Sequence, residues 1–258
     1  VVGSPLAGID RAETAIRSAA EGKATVDVAD ATTTRLSSFR NTAGRHRILI
    51  LDLDTVDTAR AVRLVAEGVD LRRNASGTLG LVFIASSKHL DLWRSALSGD
   101  DQWDRVGLME TGRVDAAAWR YWISEAELPF TDDTSAEHVL DRSGGWLGLL
   151  EIAAVEGRAR GRRRANDRLD ELRHADVAAD LLTQAGITGP LLEAFTAICE
   201  YYPEGGEYDA ITEAAAIGGA EAVDVEILRI IGALDVDTAG IYRPERVLAA
   251  ATIASIGD

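Results

Sequence analysis

Apolar positions in this chain follow two periodicities, and the change from one to the other divides it. Residues 47–54, RILILDLD, carry four apolar residues (Ile48, Leu49, Ile50, Leu51) straight into two acids, Asp52 and Asp54. A continuous apolar run bounded by polar residues predicts a strand buried on both faces of a parallel sheet. The segment ATVDVAD (24–30) alternates as a strand does, LGLVFIASS (79–87) reads as a second fully buried strand ending in two serines, and RVGLMET (105–111) as a short third. Val1 and Val2 end a further strand. Helical patterning lies between them, over 10–21 with Asp10 as its cap, 31–43, 55–73 and 88–97. The helix at 55–73 is predicted to start at a Thr55 cap and to bury Val56, Ala59, Val62, Val65, Ala66 and Val69. Strand and helix alternating in this way predict an α/β fold with a five-stranded parallel sheet covered on both faces, over residues 1–112.

From residue 114 the period is helical throughout. Residues 114–130 place Trp119, Trp122 and Ile123 on one face and end at Pro129. A short helix follows in 131–164, then the turn Ser143-Gly144-Gly145-Trp146-Leu147, then a helix whose arginine-rich end continues toward 165–186. The last segment predicts helices at 189–202, 209–217 and 220–234, a hairpin within 235–247 and a final helix over 246–256. That order is the pattern of a winged helix. The domains expected are therefore the α/β core at 1–112, a helical lid at 113–185 and a winged-helix-like domain at 186–258.

Charge narrows the functional classes. The formal net charge of −15 disfavours broad binding to nucleic acid. Its distribution is uneven: residues 201–258 hold 11 acids and 3 arginines, whereas 158–173 hold seven arginines against three acids. No apolar run reaches 18 residues, so no membrane span is expected. One cysteine, Cys199, in an apolar helical stretch excludes a disulfide framework, reads as a core residue and fits a reducing cytoplasm. The four histidines show no metal-ligand spacing, which leaves neither a zinc nor a haem site. Val1 is not an initiating methionine, and the sequence reads as a fragment or trimmed chain.

Candidate chemistry gathers where strands end, because ligands of open α/β sheets sit beyond the carboxyl ends of the strands. Gly3 and Gly8 have the separation of the glycines in G-x-x-x-x-G-K-[ST], a loop that wraps phosphates with backbone N–H groups. Asp52 and Asp54 tip one strand, Ser86 and Ser87 another. In order and in these partial motifs the chain resembles the AAA+ and STAND-type P-loop ATPases. RILILDLD is similar to their Walker B strand, and SGGWLGLL to the T-G-G-W-P-x-x-L turn of the STAND helical lid, with Leu147 at the proline position. The resemblance implies ATP or ADP bound with Mg²⁺ between core and lid, Asp52 coordinating the metal, and Gly3, Gly8, Ser86 and Ser87 at the nucleotide. It also implies Gly144, Gly145 and Trp146 nearby, and Arg105 as an arginine finger toward a neighbouring subunit.

The departures are as informative. Ile9 and Asp10 stand where the family has Lys and Ser/Thr, and Leu53 stands where it has the acid that orients water, with Asp54 one step further on and expected to point the same way as Asp52. Two main electrostatic contributors to phosphoryl transfer are thus missing. The leading expectation is an AAA+/STAND-like nucleotide switch or pseudo-ATPase, a scaffold or regulatory protein that has lost hydrolysis and acts through a protein partner or a homo- or hetero-oligomer. A second is an ATPase completed in trans, with Arg105 and the arginine run as donors. A third is a DNA-binding regulator, opposed by Glu221, Asp224 and Glu226 on the third helix of the tail and favoured only by Arg243 and Arg246 at the wing.

Overall fold

A computed structural model of the chain describes residues 1–36, 46–74, 79–98, 106–172 and 175–256. It contains two compact units, one formed by Val1–Gly3 with Ile9–Thr111, the other by Ser4–Gly8 with Gly112–Asp258.

The first unit is built on a parallel sheet of strands β1 (Val2–Gly3), β2 (Thr25–Ala29), β3 (Arg47–Asp52) and β4 (Leu79–Ser86), in the order β1-β4-β3-β2. Leu49, Ile50 and Leu51 of β3 are fully buried, as a continuous apolar strand requires. One face packs Ile50 and Ile84 with Ile9 and with Ala12 of helix α1 (Ala12–Ala20). Helix α2 (Thr58–Asn74) brings Gly68 so near Phe83 and Leu81 of β4 that a Cβ there would lie 2.5 Å from the phenyl ring. A short helix α3 (Leu90–Leu97) follows β4.

In this sheet the described residues form four strands, not the five expected. Residues 106–111 contribute a single parallel bridge, Glu110 to Val2, with Val2 N–H donating to Met109 O and Thr111 N–H to Val2 O, both at 2.8 Å. Helix α2 is capped by Asp57, whose Oδ1 accepts from Arg60 N–H at 2.8 Å, rather than by Thr55. Its buried face is Ala61, Leu64, Val65 and Gly68, and Val62 is exposed. Residues 31–35 are a turn, because the Asp30 carboxylate captures Thr32 N–H and the Thr32 and Thr33 hydroxyls. The rest of the expected 31–43 helix, beyond Leu36, lies outside the described residues.

The second unit is helical: α4 (Ala116–Glu125), α5 (Asp133–Ser143), α6 (Leu147–Arg160), α7 (Arg162–Glu171), α8 (Ala175–Ala185), α9 (Pro190–Tyr201), α10 (Tyr208–Ile217), α11 (Ala222–Ile230) and α12 (Arg246–Ile256). An antiparallel hairpin, β5 (Leu234–Val236) with β6 (Tyr242–Pro244), precedes α12, and Gly206 adds one bridge to Tyr242. Trp119, Phe130, Trp146 and Phe195 fill its core. The arginine-rich segment does not continue one helix; Gly161, at φ +85°, breaks it into α6 and α7. No helix among the described residues is long and apolar enough to cross a membrane.

Candidate functional site

Within the first unit the carboxyl ends of β1, β3 and β4 share one edge. From β1 the chain runs to the far strand β2, returns through β3 to β4, then passes to the Glu110 bridge on the other side of β1. Connections leaving the adjacent strands β1 and β4 therefore diverge, which makes their carboxyl ends the topological switch point, where ligands of open α/β sheets bind. Gly3 and Ser86 are register partners there.

The acids at this edge are engaged in backbone turns. Asp52 Oδ1 accepts from Asp54 N–H at 2.9 Å and caps a 3₁₀ turn over Leu53–Thr55. The strand ends at Asp52, so strand alternation does not extend to Asp54, whose Oδ1 accepts from Ser86 N–H at 2.9 Å. Ser86 Oγ accepts from Lys88 N–H at 3.2 Å and caps a second 3₁₀ turn, Ser87–His89. Two residues that sequence reading assigned only to a helix complete the edge. Lys88 Nζ donates to Asp54 O at 2.7 Å, and the buried His89 has Nε2 2.8 Å from Leu53 O. A carbonyl only accepts, so Nε2 carries the proton, and Nδ1 has no partner among the described residues. The signal in the sequence was the polar string SSKH at the tip of an apolar strand.

The residues at the phosphate-loop position do not fit a phosphate. Ser4–Gly8 belongs to the second unit and contains a tight 3₁₀ turn over Pro5–Ala7. Ala7 N–H is bonded to Ser4 Oγ and Ser4 O, and Gly8 N–H to Pro5 O at 3.0 Å, while Pro5 has no N–H. Two of the amides that a cradle would turn outward, those of Ala7 and Gly8, are bonded inward. Leu6 is buried, and a Cβ on Gly8 (φ +81°) would lie 2.4 Å from Leu147 Cδ2. In the first unit Gly3 is held by crowding, since a Cβ would fall 1.6 Å from Thr111 Oγ1. Ile9, at the position of the family's lysine, is a core residue 3% exposed. Asp10 does not cap α1; it lies exposed, 3.5 Å from Arg11. Mg²⁺ in such sites is held by one or two carboxylates together with substrate phosphates. Among the described residues no three His, Cys, Asp or Glu side chains gather as a metal site. Arg105 lies outside the described residues.

The Gly-Gly-Trp turn has a structural partner within the second unit. Gly144 and Gly145 take φ +60° and +75°. Trp146 is fully buried, and its Nε1–H donates to Glu245 Oε2 at 3.0 Å. Glu245, 2% exposed, also accepts from Val247 and Leu248 N–H at the start of α12, and Arg113 Nη1 lies 3.5 Å away. Burial pushes the Glu245 carboxyl above its ordinary range, against these hydrogen bonds and the arginine. Glu245 was not a sequence candidate: it stands 99 residues from its indole partner.

Several of the remaining charged groups are internally matched. Arg162 bonds Asp132, Pro129 O and Thr131; Arg164 and Arg168 share Glu171; and Arg158 donates to Ala126 O. On α11, Asp224 is buried in a capping box with Glu221, and Glu226 accepts from Arg229 and Tyr242. At the hairpin Arg243 pairs with Asp237, and Arg246 pairs with Asp141. Burial pushes the Cys199 thiol up to about 12, so it is an inert core group.

No family model matches the chain, and no curated protein matches it. Among solved structures, two variants of Thermotoga maritima RuvB align over 95% of this chain. One is 16% identical, with 83% of its own chain covered and a TM-score of 0.43; the other is 14% identical, with 84% covered and a TM-score of 0.40.

Proposed function

We propose that this chain is an AAA+/STAND-like protein that has given up ATP hydrolysis and works as a scaffold or regulatory subunit through protein–protein assembly. The observation that carries the reading is the fate of the phosphate loop. The Ala7 and Gly8 amides are bonded inward and the position of its cation is a core isoleucine. Asp52 and Asp54 then serve as turn-forming groups, which is consistent with a fold kept for its shape. The order α9, α10, α11, hairpin, α12 supports a winged-helix-like end to the molecule, with its acidic groups capped or paired rather than set out for DNA.

Steady-state ATP and GTP turnover, assayed alongside oligomeric state by analytical ultracentrifugation, tests this. No turnover above background at any assembly state is expected. Turnover that appears on self-association and disappears in Arg105→Ala would instead establish an ATPase completed by its neighbour.

A further inference from the structure

The second unit carries a groove of about 360 Å³ between the end of α9 and helix α12. Cys199 and Pro203 line it on one side, Ala249, Ala250 and Ile253 on the other. Helix α12 is apolar on both faces. Val247, Leu248 and Ala251 are buried within the unit, whereas Ala249, Ala250 and Ile253 recur at helical spacing along the groove. Ile253 is 63% exposed, and Ala250 is exposed as well. A helix that is apolar all round normally has packing on every side, so the outer face of α12 lacks its partner. Charge indicates what that partner carries. Glu200 and Glu204 directly follow the lining residues Cys199 and Pro203, and both are exposed with no ion pair among the described residues. Arg246, which lines the groove, is already matched to Asp141 at 2.7 Å. The other two arginines of residues 201–258, Arg229 and Arg243, are held by Glu226 and Asp237. Uncompensated carboxylates thus stand beside an apolar groove.

We propose that this groove docks a basic amphipathic segment of a partner protein, with an apolar side chain seated against Ala250 and Ile253 and lysine or arginine set against Glu200 and Glu204. The buried apolar area supplies affinity, and the complementary charges supply orientation and a faster encounter. The same carboxylates repel nucleic acid and anionic lipid, which leaves a cationic protein segment as the fitting occupant. This surface gives the assembly reading above its partner chemistry and rests on that reading.

The probe is the fluorescein-labelled peptide LKKLLKKLLKKL, titrated into the full chain by fluorescence anisotropy, with the unlabelled peptide followed by NMR of the backbone amides. Saturable binding that weakens with added salt and shifts the Ala249, Ala250 and Ile253 amides is expected. Ile253→Ser should raise Kd at least about tenfold with an unchanged far-UV spectrum, since the side chain is exposed in the free chain. Glu200→Gln with Glu204→Gln should raise Kd about 3- to 10-fold, as for two exposed ion pairs. Asp10→Asn with Glu21→Gln, which removes the same charge from the first unit, should leave Kd unchanged. The counterpart LEELLEELLEEL should not bind. Absence of saturable binding at millimolar peptide, or binding that leaves the α12 amides unmoved and survives Ile253→Ser, overturns the proposal. Equal affinity for the two peptides, or equal losses in the two charge variants, overturns its basic partner. The assembly reading fails separately, by ATP turnover, so absence of peptide binding in a chain without turnover overturns this surface alone.

Discussion

A lysine at position 9 would have to carry its ammonium out of the cluster made by Ile9, Ala12, Ile50 and Ile84. Ile9→Lys therefore should not restore catalysis; it should destabilise the chain by about 3 kcal/mol or more, as an unpaired charge in a core does. Thermal and urea denaturation measure the loss, and gain of ATP turnover in this variant would contradict the account. Glu245 is the second residue whose surroundings set its behaviour. Burial raises its pKa above the ordinary 4.5, so the folded chain binds this proton more tightly than the unfolded one. Its protonated form stabilises the fold at low pH, and that contribution is lost as pH rises through the raised value. The stability of the native chain relative to Glu245→Gln should thus improve as pH falls from neutrality toward 4.5, and a flat difference would refute this. The missing lysine could be read directly from position 9. The use of Asp52, Asp54 and Ser86 on neighbouring backbone amides could not, because those bonds depend on two 3₁₀ turns that follow the strands.

At the level of elements, the Gly-Gly-Trp turn is held by contacts within the second unit. Gly144→Ala would put a Cβ 2.4 Å from Glu245 Oε1 in a left-handed conformation, and should cost roughly 1–3 kcal/mol. Trp146→Phe removes one donor from a buried carboxylate and should cost a further comparable amount, about 1–3 kcal/mol, read by chemical denaturation. Strands β3 and β4 were legible because each carries a continuous apolar run, Ile48–Leu51 in one and Leu81–Ala85 in the other. The buried face of α2 was misjudged by the choice of starting residue. The true cap, Asp57, sets the face at Ala61, Leu64, Val65 and Gly68, and Gly68 has no side chain to announce itself in an apolar pattern. Of the expected fifth strand only the Glu110 bridge to Val2 forms, a pairing that its local pattern does not reveal.

For the whole molecule, a net charge of −15, paired arginines on α6 and α7, and carboxylates capped or bonded on α11 argue against nucleic acid as a general partner. Duplex DNA should show no salt-sensitive association even at low ionic strength, where electrostatic binding is strongest; a shift there that collapses with added salt would count against this reading. The alternation of strands and helices made the α/β first unit legible, and the later helical period marked where it stops. Which groups were still available for chemistry was not legible, because availability is decided by long-range bonds such as Ser86 to Asp54 and Trp146 to Glu245. The most direct measurement is calorimetric titration of ATP and ADP with Mg²⁺ into the full chain, with Asp52→Ala as control. The account predicts no binding at millimolar nucleotide for either protein. Saturable binding by the native chain that is lost in Asp52→Ala would contradict it.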